Sequence, residues 1–467
     1  GLSVAILAVL LGTYLAYLSM RTHYPGHRLL ALLGLMPLAM PSYILAACLR
    51  DVLSPSSFLG HTFNLSFFIG FFPALITLVV ITTPYVQLLV SASLARLSAS
   101  EIDAARTLGG TRSMIFRKII FPHMRPSIAF AFLITLLYVV SEFGAVSVLN
   151  YPVLTWRLYQ SVDHQQLAQA TLLGTSLLAL SIPMVLLARV IHGQVPLITQ
   201  LANPKHTPRT PLSTLQKLFA YLMHALLLGL GLILPVIVLG TWVWQGLENH
   251  LTFAAITPAL IDSLHIALMA GLFIVLLSVA PALYVARHPR GLGRIIEQAT
   301  YLGSALPGVL LAFGLILIAL FLARGLHYNS LYELLLQSGL LLMLGYALCF
   351  MAQSYASIKT AILRLDPRLY DTAKTLGASN WRYLLHIALP SLAPGIATGF
   401  ILVFIAVLKE LPVTLLLAGA MGLRPLSARV FDRYQEAFLH DTGLAGLVLL
   451  LLSLTMTAFI LRWRSHV

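Results

Sequence analysis

Runs of about 20 apolar residues recur along this chain, each long enough as a helix to cross a hydrocarbon layer of about 30 Å. Hydropathy places eleven such spans, near 1–20, 29–49, 66–95, 126–149, 167–189, 217–245, 262–286, 295–323, 332–358, 391–417 and 443–461. The strict apolar–polar alternation of a membrane strand is missing, so a barrel is not expected. A water-soluble core could not hide a sequence that is 59% hydrophobic and 9% charged, whereas lipid-facing helices need not hide it. The expected fold class is an all-α polytopic membrane protein. Cys48 and Cys349 both sit inside apolar runs and read as small packing residues, not as a disulfide or metal pair.

The net charge of +14 is explained by where the charges fall. If the spans alternate sides, 22 of the 29 Lys and Arg lie on one face. That asymmetry identifies the cytoplasmic face, puts the C-terminus there and starts Gly1 on the outer side. The implied partner is a lipid membrane, and no nucleic acid is expected.

The chain repeats itself. A shift of 268 residues lays Arg96 on Arg364, Asp103 on Asp371, Ala105 on Ala373, Leu108 on Leu376 and Gly109 on Gly377. The same register continues through Ile119 and Ile387, Pro122 and Pro390, Pro126 and Pro394, and reaches Glu142 and Glu410. One register held this far marks a duplication. Nearer the start, Arg28 falls on Arg294 and Pro41 on Pro307 at a shift of 266. In that register the second half has six spans and the first five, so one helix before Gly1 is expected to be missing. Six is even, so the repeats are parallel, related by an axis along the membrane normal. The expected organisation is a first repeat over 1–192, a proline-rich cytoplasmic linker over 193–216 and a second repeat over 217–467.

The best-matched stretch is the loop between spans. Ser100 with Asp103 reads as a helix N-terminus, Gly109-Gly110 as its left-handed stop, and Thr111 as the cap of a second short helix that Pro122 ends. In the second copy Asp366-Pro367 starts the helix, Gly377 ends it, Ser379 restarts and Pro390 stops. Each half is thus expected to hang two short helices, joined by a glycine bend, off the cytoplasmic face. Ile102, Ala105 and Leu108 share a stripe, matched by Tyr370, Ala373 and Leu376. That stripe either receives another surface or packs on the chain's own helices.

These residues resemble a known motif. Asp103-Ala104-Ala105, Gly109, Ile119 and Pro122 are similar to the EAA loop of permeases in binding-protein-dependent ABC importers, as are Asp371-Thr372-Ala373, Gly377, Ile387 and Pro390. Both copies carry aspartate where the family's pattern begins with glutamate, and Thr372 replaces an alanine. The resemblance covers the whole chain as two six-helix type I importer units, less the first helix. It implies that Asp103, Ala104, Ala105, Gly109, Asp371, Thr372, Ala373 and Gly377 form coupling loops seated on a cytoplasmic ABC ATPase homodimer. It also implies a periplasmic substrate-binding protein and a bacterial inner-membrane location. The chain itself has no Gly-x-x-x-x-Gly-Lys-Ser/Thr loop, so ATP and magnesium are expected on the partner, and this chain is not expected to be an enzyme.

Glu142 and Glu410 lie at matching places, about 24 Å of helix beyond the proline that opens each following span. Intramembrane acids usually face a bundle interior or water. They either border the translocation pathway or are hydrogen-bonded between helices, with Lys409 a possible partner. The segments 141–146 and 408–416 resemble the ferric-iron branch of fused permeases, with thiamine, polyamine or phosphonate importers as alternatives. A gradient-driven carrier is the other class to weigh, but it would not need duplicated cytoplasmic loops.

Overall fold

A computed structural model describes residues 1–54, 70–97, 99–192, 210–248, 252–326, 330–366 and 368–466. The start of the 66–95 span, most of the 193–216 linker and Pro367 lie outside them. Peptide groups in hydrocarbon must be satisfied within their own segment, which drives apolar runs into helices. Among the described residues ten helices are long and apolar enough to cross a membrane, or eleven if one bent pair counts as a span.

In chain order the first copy runs α1 (Leu2–Arg21), α2 (His27–Leu33), α3 (Ser42–Val52), α4 (Phe71–Arg96), α5 (Ala99–Thr107), α6 (Arg112–Ile115), α7 (Phe121–Ser141), α8 (Gly144–Val148), α9 (Leu154–Asp163) and α10 (Leu167–His192). The second runs α11 (Thr214–Leu228), α12 (Leu234–Glu248), α13 (Thr257–Arg287), α14 (Leu292–Gly303), α15 (Gly308–Gly325), α16 (Ser330–Gln337), α17 (Leu340–Arg364), α18 (Arg368–Thr375), α19 (Asn380–Tyr383), α20 (Leu389–Lys409), α21 (Pro412–Leu417), α22 (Leu426–Gln435) and α23 (Leu439–His466).

Two compact units result. The first holds Gly1–Arg157, Thr175–His250 and Tyr434–Leu450; the second holds Leu158–Gly174, Leu251–Arg433 and Leu451–Val467. Thus α11 and α12, which follow the linker in sequence, pack in the first unit, where α12 lies on α3. In that unit a two-residue parallel pair, β1 (Thr22–His23) with β2 (Thr210–Pro211), ties the end of α1 to the end of the linker. At the centre of the first unit α1, α4 and α7 pack on one another, and at the centre of the second α13, α17 and α20 do the same. In α20, Gly395 and Gly399 bring its backbone against α17, where a Cβ on Gly395 would stand 2.4 Å from Ala361. Small residues four apart let membrane helices approach closely. The matching positions of α7 are Ser127 and Ala131, both buried.

Five expected spans are interrupted, among them 332–358, which is split into α16 and α17 at Ser338-Gly339, where Gly339 has φ +74. The 29–49 span is broken, its two arms bent by 94° at Pro41, which is extended with ψ 138. The 295–323 span is split into α14 and α15 at Pro307, with nearly the same backbone angles (φ −58, ψ 133). A proline ring disfavours helical geometry in the residue before it and supplies no N–H. The 126–149 and 391–417 spans each stop at a glutamate and resume as a short helix, α8 or α21.

Candidate functional site

The two loops fold alike around their glycines. Gly109 and Gly377 both have φ +79, and nothing lies within 4 Å of where a Cβ would be. The bend therefore demands glycine for its backbone angle, not for space. In the first loop the Gly109 N–H donates to Arg106 O at 3.0 Å and the Gly110 N–H to Ala105 O at 2.9 Å. In the second the Gly377 N–H donates to Lys374 O at 3.0 Å and the Ala378 N–H to Ala373 O at 2.9 Å. These pairs satisfy carbonyls that the helix end leaves open, as a Schellman stop does. The restart caps also form. The Met114 N–H donates to Thr111 Oγ1 at 3.3 Å, and the Arg382 N–H to Ser379 Oγ at 3.2 Å. Asp366 Oδ1 accepts the Arg368 N–H at 2.9 Å, opening α18. Ser100, expected as the first cap, instead lies within the first turn of α5.

The expected stripe divides. Ile102 is buried with Ile115, Ile120 and Leu97, and Ala105 packs on the same cluster. Ala373 is likewise buried against Tyr383 and Ala388. These inner positions pack on the chain's own residues, the second of the two readings the stripe left open: Ala105 on a cluster that includes α1 and α4, and Ala373 within its own loop. What projects is the residue before each bend: Leu108 is 88% exposed and Leu376 82%. Asp103, Ala104 and Thr372 are exposed beside them. Asp103 meets Arg106 at 3.5 Å, an exposed pair of little energetic weight. Asp371 lies in α18.

Pro122 and Pro390 do not end the second short helix. A wider five-residue π turn, Phe116–Ile120 or Leu384–Ala388, carries α6 into α7 and α19 into α20. The Phe121 N–H donates to Phe116 O, five residues back. Proline's ring collides with the carbonyl four residues before it, and a π turn moves that carbonyl aside. The same offset recurs at Gly229–Ile233 before Pro235. Each loop is thus joined to its span by unbroken helix, Ser113–Ser141 in the first half.

Glu142 and Glu410 are matched caps. Both terminate their helices with extended angles, φ −67 and ψ 132 against φ −68 and ψ 133, and both are buried. Glu142 Oε1 accepts the Ala145 N–H at 2.9 Å and the Ser42 hydroxyl at 2.6 Å. Glu410 Oε1 accepts the Val413 N–H at 2.9 Å, and its Oε2 accepts the Thr414 N–H at 3.0 Å and the Thr414 hydroxyl at 2.9 Å. A carboxylate at a helix start answers both the open N–H groups and the positive end of the dipole. Sequence reading located these acids but not their donors. Ser42 belongs to the broken helix α3, and its counterpart is Gly308; Thr414 is Val146 in the first copy. Ser42 in the first half and Thr414 in the second thus each give the carboxylate a hydroxyl, from a different element in each half.

Comparison with known proteins follows the same duplication. Residues 8–196 and again 274–465 match the family described as the binding-protein-dependent transport system inner membrane component. The Fe(3+)-transport system permease protein FbpB 2 of Haemophilus influenzae is 26% identical over 444 residues, 93% of this chain and 82% of that protein. A Salmonella typhimurium protein named for 2-aminoethylphosphonate transport is 26% identical over 211 residues, 44% of this chain and 76% of its own length. A Chlorokybus atmophyticus protein named for sulfate transport is 28% identical over 233 residues, 48% of this chain and 80% of its own length.

Proposed function

The chain belongs to the binding-protein-dependent transport system inner membrane component family as a fused, two-repeat permease of type I importer class, and from its FbpB 2 relative we propose that it admits ferric iron to the cell. It is a transport subunit of a multi-pass membrane protein class, and hydrolysis of ATP with its magnesium is assigned to a separate cytoplasmic ABC ATPase homodimer. A periplasmic binding protein delivers the cargo. The C-terminus lies on the cytoplasmic side, with repeats over 1–192 and 217–467 joined by the linker 193–216.

One observation carries the reading: two loops 268 residues apart share a left-handed glycine, the same closing hydrogen bonds and an exposed leucine. Duplicated apolar projections on short polar helices suit a partner that offers two equivalent grooves. Asp103, Ala104, Ala105 and Gly109, with Asp371, Thr372, Ala373 and Gly377, then form the coupling bends. Leu108 and Leu376 reach into the partner, while Ala105 seats the first loop on its unit and Ala373 packs inside the second loop. Closure of the ATPase dimer moves each loop as a rigid body, and the π turns pass that movement into α7 and α20 without a break. An even number of spans separates the loops, which supports their lying on one side of the membrane.

Glu142 and Glu410 are assigned to the border of the translocation pathway, acting through the short helices they cap. Ferric cargo is supported by the FbpB 2 relative, whose match extends over nearly the whole chain. Phosphonate cargo is the second reading, supported by a relative matching less than half of it. Uptake of radioactive ferric iron by a deletion strain complemented with this gene tests the choice. Restored iron uptake supports the first reading, and restored phosphonate uptake without it supports the second.

A further inference from the structure

The second repeat carries an ion pair that the first does not. Lys359 Nζ, on α17, donates to Glu297 Oε1, on α14, and both side chains are largely shielded, at 18% and 29% exposure. Lys359 also lies 5.8 Å from the centre of the Tyr355 ring, and Tyr355 meets Tyr301 edge-on at 5.6 Å. Ile296 packs on the cluster formed by Tyr355, Ile358 and Val285. Helix α14 is thereby fastened along α17 at charged, aromatic and apolar points in succession. The positions matching Lys359 and Glu297 in the first repeat are Ser91 and Ala31, which can form no such pair.

The place of the pair gives it a role. Helix α14 is the arm before the break at Pro307, and α17 runs directly into the second loop, ending at Arg364 just before α18. A shielded ion pair holds its geometry because separating or discharging one partner strands the other charge in a poor solvent. The geometry points to Glu297 and Lys359 as positioning residues of a one-sided latch: in the second repeat the broken helix moves with its coupling loop, while in the first no such pair joins the two. The two halves then answer one ATPase stroke unequally. This inference rests on the coupling role of the loops but not on the identity of the cargo.

The test uses the complete permease with a cognate ATPase and binding protein in liposomes, reading transport and ATP hydrolysis together. Glu297→Gln and Lys359→Met each slow transport about tenfold, the scale of an ordinary coupling free energy. ATPase association and basal hydrolysis stay unchanged, so hydrolysis per transported ion rises. The exchanged pair, Glu297→Lys with Lys359→Glu, restores transport, which a residue needed only for its shape would not allow. Normal transport in both single variants, or an exchanged pair no faster than the singles, overturns the latch. Wild-type permease that fails to bind the ATPase overturns the coupling reading instead.

Discussion

The hydroxyl of Ser42 donates to Glu142 Oε1 at 2.6 Å, joining the start of helix α3 to the end of α7 across 100 residues of sequence. In the second repeat this bond has no counterpart, because Gly308 replaces the serine and Thr414 supplies the hydroxyl from within the capped helix. The two halves conserve the satisfaction of a buried carboxylate while changing which elements it ties together. In the first, the acid bridges two elements; in the second, it closes on its own short helix.

Removing the Ser42 donor leaves a buried acid with one bond fewer. Ser42→Ala lowers stability by about 1–2 kcal/mol, since hydrogen bonds to charged groups outweigh neutral ones. Adding Val146→Thr in that background recovers part of the loss by importing the second half's arrangement. Thermal unfolding of the purified protein measures both; a double variant no more stable than the single would refute the exchange of donors.

Thr414→Val in the second repeat costs more than Ser42→Ala. The threonine hydroxyl lies 2.9 Å from Glu410 Oε2 and 2.8 Å from the hydroxyl of Tyr346, so its loss strips partners from two buried groups. The same unfolding assay should rank Thr414→Val below Ser42→Ala, and the reverse order would contradict this account.

Leu108 and Leu376 touch little of their own chain. Leu108→Asp and Leu376→Asp should leave unfolding within about 0.5 kcal/mol of the wild type, as exposed sites do. They should nevertheless lower transport, because a charge enters an apolar groove of the partner. A variant that unfolds early, or one that transports normally, would remove these leucines from the docking surface.

Pro122→Ala and Pro390→Ala supply the N–H that proline lacks, and relieve the clash that maintains the π turn. The helix should then relax toward regular α geometry, turning each loop relative to its span. The expected result is a stable protein with transport reduced about tenfold, the size of a modest coupling free energy. Unchanged transport would mean that the π turns carry no directional information.

Much of this was readable from sequence because spans, duplication and glycine bends rest on local chemistry: apolar length, a fixed register and a positive φ. The broken helices were harder, since Pro41 and Pro307 lie inside runs whose hydropathy does not dip. Pro122 and Pro390 read as stops because proline usually is one, and only the π turn lets the helix pass. Ile102 faces inward for a reason that lies in α1 and α4, beyond any periodicity of its own helix. The duplication also extends further than residue identity reveals. Asn150 and Gly422 share positive φ at a separation of 272, and so do Gln165 and Ala437, but four inserted residues and unlike side chains conceal the match. The donors to Glu142 and Glu410 were hidden because one of them comes from 100 residues away.

Co-purification of the permease with its ATPase, comparing wild type with the Gly109→Val, Gly377→Val double variant, tests the paired bends most directly. A β-branched residue at φ +79 is strained by about 1–2 kcal/mol and redirects the loop, while the space around each glycine is open and the membrane helices keep their packing. The expected result is a folded membrane protein that no longer retains ATPase. A double variant that holds the ATPase as firmly as the wild type would contradict the claim that these two bends transmit the work of hydrolysis.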